Sequence, residues 1–480
     1  MSPQRATRSR MDPSAEHDLA GPTAGRVRGV LAIPAFRRLW GVTALTATAE
    51  WVSLLALSAL ATQLTTGYQA QSFALGGVVA TKLLPALVLG PLAGALADKL
   101  DRRHVMVVCD VLRAGLFLSI PLVGELAWLF VATFLIEVCA MFWIPAKDAS
   151  IPNLLRRRDQ VETANQLALI MTYGFAVLAA AGVFTALSKL GPVLSHAGLI
   201  SGAEGSAYLA LTINGIAYAF CALVVGTRIP EISGRGLTRR QAQPGVLAML
   251  REGVVFVRGT PLVRGLVTGI IGAFAAGGAV IACAKLYSTS LGGGDAAYGL
   301  LFASLFVGLG VGMAAAPQAA RRIRHRRLFG LAIVGAGLAL VAVAVVPHLL
   351  AALGAVILVG CAAGIAFLTG LTIIGTQVAD EMRGRTIAFI QLLVRLALLA
   401  SMALVPLAVG LVQQRTIILF SEQVTIDGTR PVLLCAGLLA ATVGLIAHRQ
   451  MDDRLDGSLR GDVRAALRKN SQPSPPGGGG

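Results

Sequence analysis

A series of long apolar runs constrains this chain more than any other feature. A membrane-spanning helix needs about 20 mostly apolar residues, and the sequence repeats runs of roughly that size along most of its length. Twelve are present, at residues 39–64, 72–97, 105–123, 126–146, 163–189, 206–227, 262–289, 296–320, 328–347, 350–378, 385–413 and 430–448. The pattern predicts an all-α membrane protein with twelve transmembrane helices, because a bilayer-spanning backbone must satisfy its own polar groups.

The charge content agrees with a membrane protein. Only 14% of the 480 residues are charged, against about 25% in soluble domains. The net charge of +17 would fit a nucleic-acid-binding protein, but the basic residues lie between the apolar runs. We therefore expect the lipid bilayer, and not nucleic acid, to be the partner of these charges.

The basic residues also predict an orientation. Segments on the same side as the N-terminus hold 34 of the 41 Lys and Arg residues, the opposite loops hold three, and four lie inside runs. By the positive-inside rule, both termini are cytoplasmic. The N-terminus is polar up to about Val30, so no cleavable signal peptide is expected. The prediction is a multi-pass protein of the bacterial inner membrane.

The longest loop between runs divides the chain into two halves. We predict a cytoplasmic arm (1–38), a six-helix bundle (39–227), a central loop (228–261), a second six-helix bundle (262–448) and a cytoplasmic tail with a linker (449–480). The segments "IPNLLRRRDQVETANQL" and "IIGTQVADEMRGRTIAFIQL" occupy matching places in the two halves. Such repeats predict two pseudo-symmetric bundles, an architecture common among transporters.

A tight charged loop follows the second run. Gly90 and Gly94 form a small-residue face that allows two helix backbones to approach closely. Asp98 ends the run, and Arg102 and Arg103 can pair with it or bind carbonyl groups at the end of a neighbouring helix. The loop is predicted to hold a gate in one state, and the alternative is a charged loop that only fixes the topology.

This loop carries a family resemblance. Gly94-x-Leu-Ala-Asp98-Lys-x-x-Arg102-Arg103 resembles the signature loop of the major facilitator superfamily, with Asp101 where the family usually has glycine. That variant, with "PAKDASIPNLLRRRDQVETANQL" and "RGRTIAF", is similar to the branch of macrolide efflux pumps and the enterobactin exporter. The tail and its "NSQPSPPGGGG" linker resemble the front part of bacterial fusions to a thymidylate kinase domain. The resemblance implies alternating-access transport, with this loop steadying one state.

Four ionisable residues within runs are the candidate proton-coupling or substrate residues. Each costs at least about 2.5 kcal/mol at the centre of a membrane helix. Glu50, Glu137 and Arg395 lie near the middle of their runs, where such transporters hold substrate, and Lys82 lies in the second run. A carboxylate in a cavity there can take up and release protons. The alternative is a packing ion pair of Glu50 with Arg395 or Lys82.

Other charged residues in the runs are predicted to be structural. Asp110 and Arg113 are three apart on one helix face, so we expect a pair between them or with the charged loop. Lys285 lies near the end of its run, where it is expected to snorkel. The six cysteines and six histidines show no ligand spacing, and no phosphate-binding loop is present. Metal, cofactor and enzyme activity are therefore not expected.

Two functions remain open at this point. The first is a monomeric secondary transporter that exports a small amphipathic organic compound, driven by protons, as multidrug efflux antiporters are. The second is a transport-inactive membrane-anchoring or regulatory domain of a fusion protein. Charges within the runs favour the first. The linker-like tail favours the second, as does a fifth run without the Gly-Pro stretch typical of antiporters.

Overall fold

The computed structural model describes residues 23–97, 100–155, 157–196, 205–233, 261–377, 380–412, 415–419 and 422–451. Helices dominate these residues. The first half contains α1 (Thr23–Leu31), α2 (Pro34–Gln63), α3 (Tyr68–Ala97), α4 (Arg102–Val123), α5 (Leu126–Leu154), α6 (Arg158–Ile170), α7 (Ala176–His196) and α8 (Gly205–Arg228). The second half contains α9 (Pro261–Ser290), α10 (Gly294–Arg322), α11 (His325–Val345), α12 (Leu349–Gln377), α13 (Asp380–Leu411) and α14 (Thr429–Met451).

The helices coincide with the apolar runs, which confirms the predicted fold class. Ten helices of the described residues are long and apolar enough to cross a membrane. The second predicted run is α3, and the fifth is the continuous helix of α6 and α7, joined by a π-helical turn at Met171–Phe175. Exposed apolar residues form stripes, such as Ile216, Phe220 and Leu223 on α8, as expected for a lipid-facing surface.

Local signals set several helix ends. Pro34 occupies the first turn of α2, where its missing N–H costs nothing. The side chain of Asp101 caps α4 by accepting a hydrogen bond of 3.0 Å from the backbone N–H of His104, as N-cap aspartates do. At the other end of α4, Gly124 adopts a φ of 67°, the left-handed conformation that closes many helices.

Two elements lie outside the predicted spans. A short helix, α1, precedes the first span. An antiparallel hairpin of β1 (Arg415–Leu419) and β2 (Glu422–Ile426) connects α13 to α14. Their sequences, "RTIIL" and "EQVTI", are rich in β-branched residues, which favour strands. Two residues separate them. The pattern of apolar runs predicts only a loop here.

The hairpin and the chain ends mark opposite ends of the bundle. We call them the hairpin end, which includes Gln63, and the terminal end, which includes Pro34 and Met451. Helices α2–α8 pack mainly on one another, and so do α9–α14. The boundaries of the predicted domains stay predictions, since residues 234–260 and 452–480 lie outside the described residues.

The two halves meet near the hairpin end. The amide of Gln63 donates a hydrogen bond of 3.2 Å to Asp295. Deeper in the bundle, Trp51 contacts Phe306 with ring centroids 5.2 Å apart. Gly76 of α3 lies so close to Pro406 of α13 that a Cβ atom there would overlap the proline ring. These contacts close the hairpin end.

Exposure along α2 shows where the halves separate. Residues 55–61 of α2 are fully buried, whereas Arg37 and Gly41 are exposed and Thr48 and Glu50 are partly exposed. The fall in burial indicates a cleft between the halves that begins at about the level of Trp51 and lies on the terminal side of it.

Candidate functional site

Four charged residues from four helices form one network in the first half. Glu50 of α2 accepts a hydrogen bond from the guanidinium of Arg113 on α4, and its second oxygen lies 3.9 Å from the Lys82 ammonium of α3. Lys82 also donates to Glu137 of α5. Two carboxylates and two cations thus balance one another, as buried charges require.

The environment of this network differs from residue to residue. The side chain of Arg113 is 1% exposed and that of Glu50 is 33% exposed. Glu50 lies where the burial of α2 begins to fall toward the terminal end, at the level where the halves separate. Lys82 and Glu137 are 14% and 11% exposed, so Glu50 is the member of the network that water reaches most easily.

Aromatic and amide groups hold Glu50 and Arg113 in place. The hydroxyl of Tyr218 donates to Glu50 at 3.2 Å, and its ring lies 4.7 Å below the Arg113 guanidinium. Tyr218 in turn stacks on Phe117 at 5.4 Å. The amide of Asn214 donates to the backbone carbonyl of Ala49 at 2.9 Å. These contacts fix α2 against α4 and α8 beside the network.

The predicted pairing was right for some residues and wrong for others. Glu50 lies near Lys82, one of the two expected partners, but it does not form an ion pair with Arg395. The expected pair of Asp110 and Arg113 does not form, because Arg113 reaches across to Glu50 and also donates to the carbonyl of Ile136 at 3.3 Å. The fully buried Asp110 faces the indole of Trp143, although neither of its oxygens has a partner at hydrogen-bond distance among the described residues.

Lys285 does not snorkel as expected. Its side chain is 6% exposed and forms an ion pair with Asp295, the residue that also accepts from Gln63 of the first half. Asp295 lies in the first turn of α10, close enough to neutralise the Lys285 ammonium, and this pairing makes its burial possible. Lys285 and Asp295 thereby belong to the contact that closes the hairpin end.

A second polar contact lies at the hairpin end. The hydroxyl of Tyr68, from the first half, faces the carboxyl group of Asp427, from the second, although neither Tyr68 Oη nor Asp427 Oδ2 has a partner at hydrogen-bond distance. Asp427 is fully buried, and its other oxygen accepts from the Thr429 hydroxyl at 2.5 Å. Burial raises the pKa of Asp427 above its usual value. Nothing in the apolar-run pattern indicated this contact.

The charged loop is described in part. Arg102 donates to the carbonyl of Ala149 at 2.8 Å, and Arg103 donates to the carbonyl of Gly226 at 2.5 Å. Both arginines therefore bind helix carbonyls, which was one of the two predicted arrangements. Asp98 lies outside the described residues, and so do the surroundings of Gly90 and Gly94.

The π-helical turn at Met171–Phe175 was not predicted. It interrupts the helix of the fifth predicted span, and such turns are frequent at functional sites. The carbonyl of Thr172 in this turn accepts a hydrogen bond of 3.0 Å from the indole of Trp51. The turn therefore positions the aromatic residue next to Glu50.

Arg395 is exposed on α13, apart from the network of the first half. In the described residues, the six cysteines are unpaired and no group of His, Cys, Asp and Glu residues is arranged to hold a metal ion. The charged network and Arg395 are thus the candidate functional residues in the described part of the cleft.

Comparisons with known proteins agree with this architecture. An uncharacterised MFS-type transporter of Bacillus subtilis, YfiS, is 25% identical over 270 residues, 55% of this chain and 57% of that protein. The putative bacilysin exporter BacE of Bacillus amyloliquefaciens is 31% identical over 153 residues, 31% of this chain and 34% of that protein. The match therefore spans less than two thirds of either relative.

Solved structures show the same fold. A bacterial homolog of the human lysosomal transporter Spinster, in an inward-facing and unoccupied conformation, superimposes with a TM-score of 0.66 at 15% identity, over 87% of this chain and 98% of that one. The nucleoside transporter NupG gives 0.66 at 14% identity, over 86% and 99%. The sequence profile described as Major Facilitator Superfamily matches residues 39–402. The chain belongs to the major facilitator superfamily.

Proposed function

We propose that the protein is a proton-driven exporter that works by alternating access. The observation that carries this proposal is the charged network of Glu50, Arg113, Lys82 and Glu137, which lies next to a cleft closed at one end. Buried ionisable groups are costly in a membrane, and a passive anchor has no use for them. Membership of a transporter superfamily supports the same reading.

The proton step is assigned to the network. Glu50 is partly exposed to the cleft and paired with Arg113, so a proton on Glu50 would release the guanidinium. Glu137 is paired with Lys82 in the same way, so a proton on Glu137 would release the Lys82 ammonium. Protonation from one side and release to the other would then break and re-form these pairs as the halves rearrange, which couples proton movement to the state of the cleft.

The state and the direction of transport follow from the proposed orientation. If the terminal end is cytoplasmic, as the distribution of basic residues predicts, the structure is closed to the outside and open to the inside. Substrate would enter from the cytoplasm and leave at the hairpin end. One relative is a putative bacilysin exporter, which is in keeping with export.

Transport into everted membrane vesicles tests this function. Vesicles with and without the protein are screened for uptake of amphipathic compounds driven by an imposed pH gradient, starting with bacilysin. We expect Glu50→Gln to abolish pH-driven uptake while exchange between two filled sides persists, because the substitution keeps the shape and removes the titrating group. Glu125→Gln, at an exposed position of the hairpin end, is the matched control.

Two results would contradict the proposal. Uptake that is unchanged in Glu50→Gln would make the network a packing element. The absence of uptake for every compound in the screen, with folded protein in the vesicles, would favour the transport-inactive anchoring domain.

A further inference from the structure

Arg395 lies on the face of α13 that points into the cleft. Positions 391, 395, 398, 402 and 406 follow one another at spacings of three or four, so they form one stripe along the helix. At the hairpin-end part of this stripe, Met402 and Pro406 contact Gly76 of the first half. The stripe therefore faces the first half along its length.

Exposure along the stripe rises toward the terminal end. Met402 is 2% exposed, Leu398 is half-buried, and Arg395 and Gln391 are exposed. Arg395 is about 10 Å from Met402 at 1.5 Å per residue, just below the point where the halves touch. A guanidinium at mid-membrane depth with this exposure is expected to lie in an aqueous cleft, because exposing a charged side chain to lipid is costly.

The two glutamates of the charged network already have partners. Glu50 binds Arg113 and Tyr218, and Glu137 binds Lys82. A substrate ammonium would have to displace these partners. Among the described residues Arg395 forms no ion pair, so a substrate anion could serve as its counterion.

An aromatic cluster lies at the closed end of the same cleft. Trp51 of the first half contacts Phe302 and Phe306 of α10, with ring centroids 5.8 and 5.2 Å apart. Such rings provide a large apolar surface with defined geometry. The cleft thus combines the guanidinium of Arg395, which has no ion-pair partner among the described residues, with an apolar wall at its closed end.

We propose that the cleft binds an amphipathic carboxylate: the carboxylate pairs with Arg395, and the apolar body packs against the partly exposed rings of Trp51 and Phe306. The planar guanidinium matches a carboxylate in a two-bond fork, which a neutral amide cannot form. This inference names a substrate class and rests on the proposed transport function.

Equilibrium binding to the full-length protein in lipid nanodiscs tests the inference. Three probes share one naphthalene ring: 2-naphthylacetate, its neutral amide, and 2-(2-naphthyl)ethylamine. Empty nanodiscs measure partitioning into lipid. We expect the carboxylate to bind at least tenfold more tightly than the amide. In Arg395→Gln that preference falls to less than twofold, and in Arg395→Lys it is intermediate because the charge remains without the fork.

Arg321→Gln, which removes an exposed arginine at the end of α10, serves as the matched control and keeps the tenfold preference. A carboxylate that binds no more tightly than the amide, or not at all, overturns the inference. So does a preference that persists in Arg395→Gln, or tighter binding of the amine that Glu50→Gln abolishes. Uptake in vesicles is read separately, so binding that depends on Arg395 without transport would refute the proposed function and leave this site standing.

Discussion

At the scale of single residues, the pairing of Arg113 with Glu50 is the contact that the site depends on most. Arg113 is almost fully buried and pairs with Glu50. It forms no ion pair with Asp110, the acid on its own helix face. Removing one partner of a buried pair leaves an uncompensated charge, which costs about 3–5 kcal/mol. The network is therefore as important for folding as for proton coupling.

The first prediction concerns this pair. Arg113→Gln is expected to lower stability by about 3 kcal/mol, because it leaves Glu50 without its guanidinium partner. In the double variant Glu50→Gln/Arg113→Gln, a neutral pair replaces the ionic one, so part of the stability should return. Thermal unfolding of the purified protein measures both. A double variant less stable than Arg113→Gln alone would show that the two residues do not act on each other.

The second prediction concerns Asp427 and pH. Burial raises the pKa of Asp427 in the closed hairpin end, whereas in an open, hydrated state the pKa would return toward about 3.9. The closed state therefore holds the proton more tightly and is favoured at low pH. It loses stability as the pH rises from the usual pKa to the raised one.

A cysteine at Leu75 measures this opening. Leu75 is fully buried against the second half, so an impermeant maleimide reaches it only when the hairpin end opens. We divide the labelling rate by that of the unfolded protein at the same pH, because the reactivity of the thiol itself rises with pH. We expect this ratio to increase as the pH rises from below the usual pKa of aspartate to neutral pH. In Asp427→Asn, the side-chain oxygen of the new asparagine can still accept the hydrogen bonds of Thr429, but the titrating group is lost. The pH dependence of labelling should therefore become flat. An equally steep dependence in Asp427→Asn would contradict the assignment.

At the scale of elements, close packing of α10 on α7 holds the hairpin end shut. A Cβ atom at Gly299 would overlap the hydroxyl of Thr185 and lie 3.2 Å from the carbonyl of Ala181. Gly310, on the same helix, has open space around its Cα. The two glycines therefore form a matched pair for testing the contact between the halves.

The third prediction uses this pair. Gly299→Ala should push α10 away from α7 and increase the rate at which a cysteine at Leu75 is labelled, by several-fold. Gly310→Ala should leave the rate unchanged, although it introduces the same methyl group into the same helix. Equal rates in both variants would mean that this contact does not control the closed state.

The elements also show how far the sequence alone can lead. Apolar runs located the helices because length and hydropathy are local properties. Residue counts put Glu50, Glu137 and Arg395 near the middle of their runs, and this depth in the membrane stays a prediction. The partner of Arg113 could not be predicted, because it depends on how α2 and α4 are rotated about their axes. The π-helical turn at Met171–Phe175 has no residue signature of its own, so the environment of Trp51 was also out of reach.

At the scale of the whole molecule, the orientation in the membrane determines whether the cleft opens to the cytoplasm or to the outside, and therefore the direction of transport. The fourth prediction is that a cysteine at Leu350, at the hairpin end, reacts with an impermeant reagent in intact cells, and that one at Leu100, at the terminal end, reacts only after lysis. Both positions are exposed, and the variants are made in a background without the native cysteines. The opposite pattern would reverse the proposed direction of transport.

The central claim is that the two halves alternate between a state open at the terminal end and a state open at the hairpin end. Pulsed electron-spin distance measurements test it most directly, with one label pair at Thr66 and Leu350 and another at Leu100 and Arg321, each pair spanning the two halves. A change of pH or the Gly299→Ala substitution should lengthen the hairpin-end distance and shorten the terminal-end distance together. Distances that stay fixed, or that change at one end only, would contradict alternating access and leave a membrane domain that does not transport.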